Sequence, residues 1–157
     1  MLYLDSSALI KHYQKERGSE ALERRLLTEA EYSRTAFTST LTYAEIHAIL
    51  ARRTRDKYLS AAESAAVHDR FDTDWVLSLS SIELGVGVLG FVPDLVRTHP
   101  LKGADAVQLA SALWLRDTAR LSKKLGQQEA IVFASSDRQL VTAAQKHDLD
   151  VFNPETA

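Results

Sequence analysis

Five short runs of apolar, β-branched or aromatic residues are spread along the chain with helical stretches between them, and this alternation leaves few possible architectures. The runs cover residues 2–5, 35–39, 76–82, 130–134 and 150–152. Runs this short and this rich in strand-favouring side chains read as strands rather than buried helices. A helix is predicted over 8–16, capped by Ser6 or Ser7, until Gly18 breaks it. Residues 19–30 restart with Leu22, Leu26 and Leu27 at helical spacing. Thr40 or Thr42 opens a helix to about Arg53, and a further helix begins over 60–69. The clearest helix is 103–123, with Val107, Ala110, Leu113 and Trp114 on its apolar face, and the last is 137–147. Over 84–98 the glycines at 85, 87 and 90 weaken a helix, although Leu89, Val92, Leu95 and Val96 keep its spacing.

Strands separated by helices imply an α/β fold: a parallel sheet of about five strands, joined by crossovers, with helices on both faces. At 157 residues the chain is predicted to form a single domain spanning 1–157. In such sheets ligands bind beyond the carboxyl ends of the strands. Cysteine is absent, which removes disulfides, thiolate metal sites and cysteine nucleophiles together. The opening MLYLDSS lacks the basic-then-apolar order of a signal peptide, and no run approaches the roughly 18 apolar residues of a membrane span. A soluble, cytoplasmic protein with no membrane partner is expected. The formal charge of −2 argues against a non-specific nucleic-acid coat, which relies on excess Lys and Arg. It leaves open an enzyme that takes nucleic acid locally, because bound cations can offset an acidic site.

Four acids stand apart from those on charged helix faces, such as Glu16, Glu20, Glu23, Glu29 and Glu31. Asp5 ends the first strand and Asp137 follows the fourth, where the sheet rule puts ligand-binding groups. Each also has an ordinary explanation as an acid at a helix N-terminus. Glu45 shares a helix face with Leu41, Ala48 and Ile49, so its carboxylate loses hydration and needs a partner. The ordinary alternative is a marginal position paired with Arg52 or Arg53. Asp105 lies in the first turn of the strongest helix, on the face of Leu109, Ala112 and Leu113 and among small residues that leave space beside it. Converging carboxylates repel unless they share a cation. Oxygen ligands without His or Cys select Mg²⁺, with Mn²⁺ as substitute, over zinc. Mg²⁺ keeps some of its waters, which suits phosphodiester hydrolysis.

The segments carrying these acids, Leu2-Tyr3-Leu4-Asp5-Ser6-Ser7-Ala8-Leu9-Ile10-Lys11, Tyr43-Ala44-Glu45, Gly103-Ala104-Asp105-Ala106-Val107-Gln108-Leu109-Ala110-Ser111-Ala112-Leu113 and Phe133-Ala134-Ser135-Ser136-Asp137, run in the order and spacing of a known family. The chain resembles the PIN-domain family and, within it, the VapC-type toxins of toxin–antitoxin pairs. The resemblance implies a Rossmann-like α/β/α sandwich in which Asp5, Glu45, Asp105 and Asp137 line one acidic pocket holding Mg²⁺ or Mn²⁺. It implies Asp5 and Asp105 as the direct ligands. Glu45 would hold a second ion or orient water, and Asp137 would complete the shell. Ser7 and Ser135 match supporting hydroxyls, although threonine is commoner at the second position. The implied activity is endonucleolytic cleavage of RNA by a metal-activated water. Its implied partners are RNA, a small antitoxin and a second copy in a homodimer.

Arg138 is the candidate phosphate contact by its position beside Asp137. Arg52, Arg53, Arg55, Lys57, Lys123 and Lys124 are further basic candidates for guiding RNA. Trp114, on an apolar face, reads as core, and the five histidines show no ligand spacing. Two competing readings remain: a catalytically silent RNA- or partner-binding module, and an acidic-pocket phosphatase. The phosphatase reading would want a second Asp where Ser7 stands.

Overall fold

The computed structural model describes residues 1–31, 36–122 and 130–157. The strands are β1 (Leu2–Leu4), β2 (Ala36–Ser39), β3 (Leu79–Ile82), β4 (Val132–Ala134) and β5 (Asp150–Phe152). The helices are α1 (Ser6–Tyr13), α2 (Ser19–Glu31), α3 (Thr40–Arg55), α4 (Ala61–Leu77), α5 (Val86–Leu89), α6 (Val92–Thr98), α7 (Gly103–Leu121) and α8 (Arg138–Lys146). The strands form one sheet in the order β3-β2-β1-β4-β5, every neighbouring pair parallel. The predicted α/β fold with a five-stranded parallel sheet is therefore the observed one.

The central strand shows how the layers are divided. Leu2, Tyr3 and Leu4 are all fully buried, and successive side chains of a strand point to opposite faces. Leu2 and Leu4 join Leu9, Leu22, Ile46, Leu50 and Phe71, from α1–α4. Tyr3 joins Val88, Leu95, Leu109, Leu113 and Leu140, from α5–α8. A strand buried on both faces reads as a continuous apolar run, as this one does. Each fully buried Leu or Phe contributes roughly 1.5–3 kcal/mol, so the two cores hold both helix layers against the sheet.

Several boundaries differ from the sequence reading. Asp5 caps α1 by accepting from the Ala8 N–H, so the helix starts two residues earlier than predicted and needs neither Ser6 nor Ser7 as cap. Ser39 caps α3, displacing Thr40 and Thr42 from that role. The strand expected over 76–82 is cut short because α4, begun by a Ser60–Glu63 capping box, continues through Leu77. Val76 and Leu77 fall within the run predicted as strand, yet they lie on the helix at 77% and 76% exposure. The ambiguous stretch over 84–98 resolves into α5 and α6, two short helices divided at Gly90. Thr35, Lys123 and Lys124 lie outside the described residues. No described helix is long and apolar enough to cross a membrane.

Candidate active site

Asp5 directly follows β1, and Asp137 follows β4 through Ser135 and Ser136. Because β1 and β4 pair in parallel, Leu4 beside Ala134, both acids leave the same sheet edge side by side. Asp137 caps α8 by accepting from the Leu140 N–H at 2.9 Å, so the ordinary explanation for it holds alongside any other role. Its side chain stands in solvent next to exposed Arg138.

Asp5 is the most constrained of the four acids, at 3% exposure. Its carboxylate accepts from Ser7 Oγ at 2.9 Å, Ser135 Oγ at 2.7 Å and the Ala8 N–H at 2.8 Å. Ser7 Oγ reaches across to the loop after β4, accepting from the Ser136 N–H at 2.9 Å, and Ser135 Oγ accepts from the Asp137 N–H at 3.0 Å within that same loop. Ser7 and Ser135 thus lock the ends of β1 and β4 together around one carboxylate. Burial raises the Asp5 pKa to about 6, the hydrogen bonds from Ser135, Ala8 and Ser7 pulling it back and the neighbouring Glu45 charge adding to the rise. Every donor to Asp5 is neutral, so nothing in this set cancels its charge.

Glu45 flanks the buried face of α3, which is Thr42, Ile46 and Leu50 rather than Leu41, Ala48 and Ile49. Ala48 is exposed, and Glu45 itself is half-buried. Its hydrogen-bond partner is Gln108, whose Nε2 donates to Glu45 Oε2 at 2.7 Å. Arg53, one of the two arginines offered as Glu45's alternative partner, pairs with Glu16 instead. Asp105, in the first turn of α7, accepts from the Lys102 N–H at 3.3 Å. Burial and the facing Asp137 charge raise its pKa, against the opposing effect of Lys102.

Asp5 lies within electrostatic reach of Glu45, and Asp105 within reach of Asp137. Among the described residues, no three His, Cys, Asp or Glu side chains come close enough to cage an ion by themselves. Mg²⁺ binds through one or two carboxylates while keeping several waters, so paired hard-oxygen donors with no protein cation against Asp5 fit such an ion.

Sequence reasoning missed Gln108, whose place inside an apolar helix face gave no sign of a polar partner. It also missed two histidine pairs, because their members lie far apart in the chain. His47 and His68 meet at 2.6 Å and His99 and His147 at 3.0 Å. Glu29, read as solvated, is 3% exposed and paired with Arg25.

A Rossmann-like parallel sheet with acids at its carboxyl edge defines the class. The chain belongs to the PIN domain family, whose profile matches residues 2–146. It is 33% identical over 144 residues to Ribonuclease VapC45 of Mycobacterium tuberculosis (strain CDC 1551 / Oshkosh), spanning 92% of this chain and 89% of that protein. Ribonuclease VapC49 of Mycobacterium tuberculosis (strain ATCC 25618 / H37Rv) matches with the same 33% identity and the same 92% and 89% coverage. Among solved structures, FitAcB from Neisseria gonorrhoeae superposes with a TM-score of 0.68 at 16% identity, covering 98% of each chain. VapBC2 from Rickettsia felis, bound to a promoter DNA fragment, gives 0.66 at 12% identity, again over 98% of each. A toxin–antitoxin complex from Klebsiella pneumoniae gives 0.55 at 15% identity, also over 98% of each.

Proposed function

We propose that this chain is a Mg²⁺-dependent endoribonuclease, the toxin of a toxin–antitoxin pair. The observation that carries the reading is Asp5: a buried carboxylate held by neutral donors, within reach of the Glu45 charge. Kinship with two proteins named ribonucleases supplies the polymer. In this reading Asp5 and Asp105 hold the ion most directly, and Glu45 and Asp137 complete the site. Mn²⁺ can replace Mg²⁺. A bound ion of this kind acts as a Lewis acid and makes its water more acidic.

The chain's own residues then have separable tasks. Ser7 and Ser135 keep the Asp5 carboxylate turned outward from β1, and Glu45 orients the attacking water. Arg138 meets a phosphate oxygen of the RNA. Hydrolysis forms a bond from the water oxygen to phosphorus and breaks a P–O bond of the backbone; one of the water's protons goes to the departing oxygen and the other stays on the new phosphate or passes to solvent. The partners expected are RNA, a small antitoxin that covers the acids, and a second copy of the chain in a homodimer. The cytoplasm is the compartment where those partners meet.

The test is incubation of total RNA with purified parent chain and Asp105→Asn, in Mg²⁺ or in EDTA. Discrete fragments from the parent in Mg²⁺ alone, absent with the folded variant, are the expected result. Failure of a folded, antitoxin-free parent to cut RNA in Mg²⁺ or Mn²⁺ would overturn the nuclease reading in favour of a silent RNA- or partner-binding module.

A further inference from the structure

We propose that Gln108 is a positioning residue for Glu45, itself held in place by Tyr3; this rests on the reading of Glu45 as a metal-site acid. Gln108 lies three residues after Asp105 on α7 and is 2% exposed. Its carboxamide is fully committed. Oε1 accepts from the Tyr3 hydroxyl at 2.8 Å. Nε2 donates to Thr42 Oγ1 at 2.8 Å and to Glu45 Oε2 at 2.7 Å, using both of its hydrogens.

The chemistry fixes the direction of this relay. A reversed amide would set Oε1 against Glu45 Oε2, two acceptors with no proton between them. Tyr3 therefore anchors one end of the amide from the buried centre of β1, its ring stacked on Phe133 at 5.4 Å. Thr42 braces the other, and Thr42 Oγ1 sits 2.8 Å from Thr38 Oγ1, whose hydroxyl reaches the Leu4 carbonyl at 2.7 Å. The relay thus ties β1, β2, α3 and α7 to one carboxylate oxygen. A neutral donor suits this place: it fixes the orientation of Glu45 and leaves its charge available to a cation. A Lys or Arg there would neutralise that charge. Because Asp105 and Gln108 share α7, the same helix sets the position of one acid and the orientation of another.

The experiment is Mn²⁺ binding by calorimetry, with no RNA present, on the parent, Gln108→Met, Tyr3→Phe and Glu45→Gln, with Gln108→Met and Tyr3→Phe each also combined with Glu45→Gln. Removing a partner that orients a metal ligand typically weakens binding 10–100-fold. The expected result is a loss of at least about tenfold for Gln108→Met and a smaller loss in the same direction for Tyr3→Phe. Both losses should vanish in the Glu45→Gln background, which a purely structural role would not produce. If Gln108→Met does not fold, the near-isosteric Tyr3→Phe reads the same coupling without altering α7. Parent-like affinity in the folded variants, or a loss that persists without the Glu45 charge, overturns the inference alone. A parent that binds no Mn²⁺ overturns the metal reading together with this inference.

Discussion

Asp5 is the residue whose position costs the fold something. Its folded pKa of about 6 exceeds the ordinary 3.8, so the folded state holds the proton more tightly than the unfolded chain does. The charged form is therefore a burden above about pH 6, one that fades as the pH falls towards 4. Asp5→Asn keeps a side chain able to cap α1 and removes the charge. In EDTA at neutral pH it should stabilise the protein by up to about 3 kcal/mol, the equivalent of roughly two pKa units. That gain should shrink towards zero near pH 4, as thermal unfolding at several pH values would show. RNA cleavage should be lost in the same variant. A carboxylate kept where it destabilises the chain marks a site selected for something other than folding.

At the scale of elements, α7 is the best example of what could be read directly from the residues. Its small and apolar residues at helical spacing gave the helix and its buried face, and Asp105 was visible as an acid on that face. The contact between α7 and α5 was not visible, because it depends on a glycine. A Cβ on Gly87 would overlap the indole of Trp114, reaching its Cδ1 at 2.8 Å. Gly87→Ala should cost about 1–3 kcal/mol in urea unfolding, the usual range for overpacking, and should leave Mn²⁺ affinity unchanged. The same distinction explains the remaining misreadings. Asp5 and Asp137 were legible as acids at strand ends, because the sheet rule needs only chain order. Gln108, the histidine pairs and the burial of Glu29 depend on which helices pack together, and single-chain periodicity carries no such information. At the far end of α4, Val76 and Leu77 show a local preference for strand losing to a helix already nucleated by its cap.

Taken whole, the molecule is closed by an ionic clasp between its two ends. The Lys11 ammonium, 3% exposed, lies 2.8 Å from Glu16 and 2.8 Å from Glu155. Burial would lower its pKa, but the hydrogen bonds to Glu155 and Glu16 outweigh that and hold it above its usual value. Beside the clasp Gly18, at a φ of 90°, lies so close to Pro154 that a Cβ would meet its carbonyl carbon at 2.8 Å. The carboxylates keep some contact with water and the ammonium does not, so the two sides of the clasp are unequal. Glu16→Gln with Glu155→Gln should cost about 3 kcal/mol by stranding a buried charge, and adding Lys11→Met should recover most of it, as measured by urea unfolding.

The sheet order β3-β2-β1-β4-β5 has a consequence for how the protein is made. The strand that completes the neighbourhood of Asp5 is β4, which arrives with Ser135 and Asp137 late in the chain, after β1, β2 and β3. A nascent chain emerging from the ribosome carries at most three of the four acids until residue 137 is added. Until residue 135 is added it also lacks the hydroxyl that helps hold the first of them. The acid site proposed above therefore cannot assemble in a chain that has not yet reached β4 and the residues that follow it.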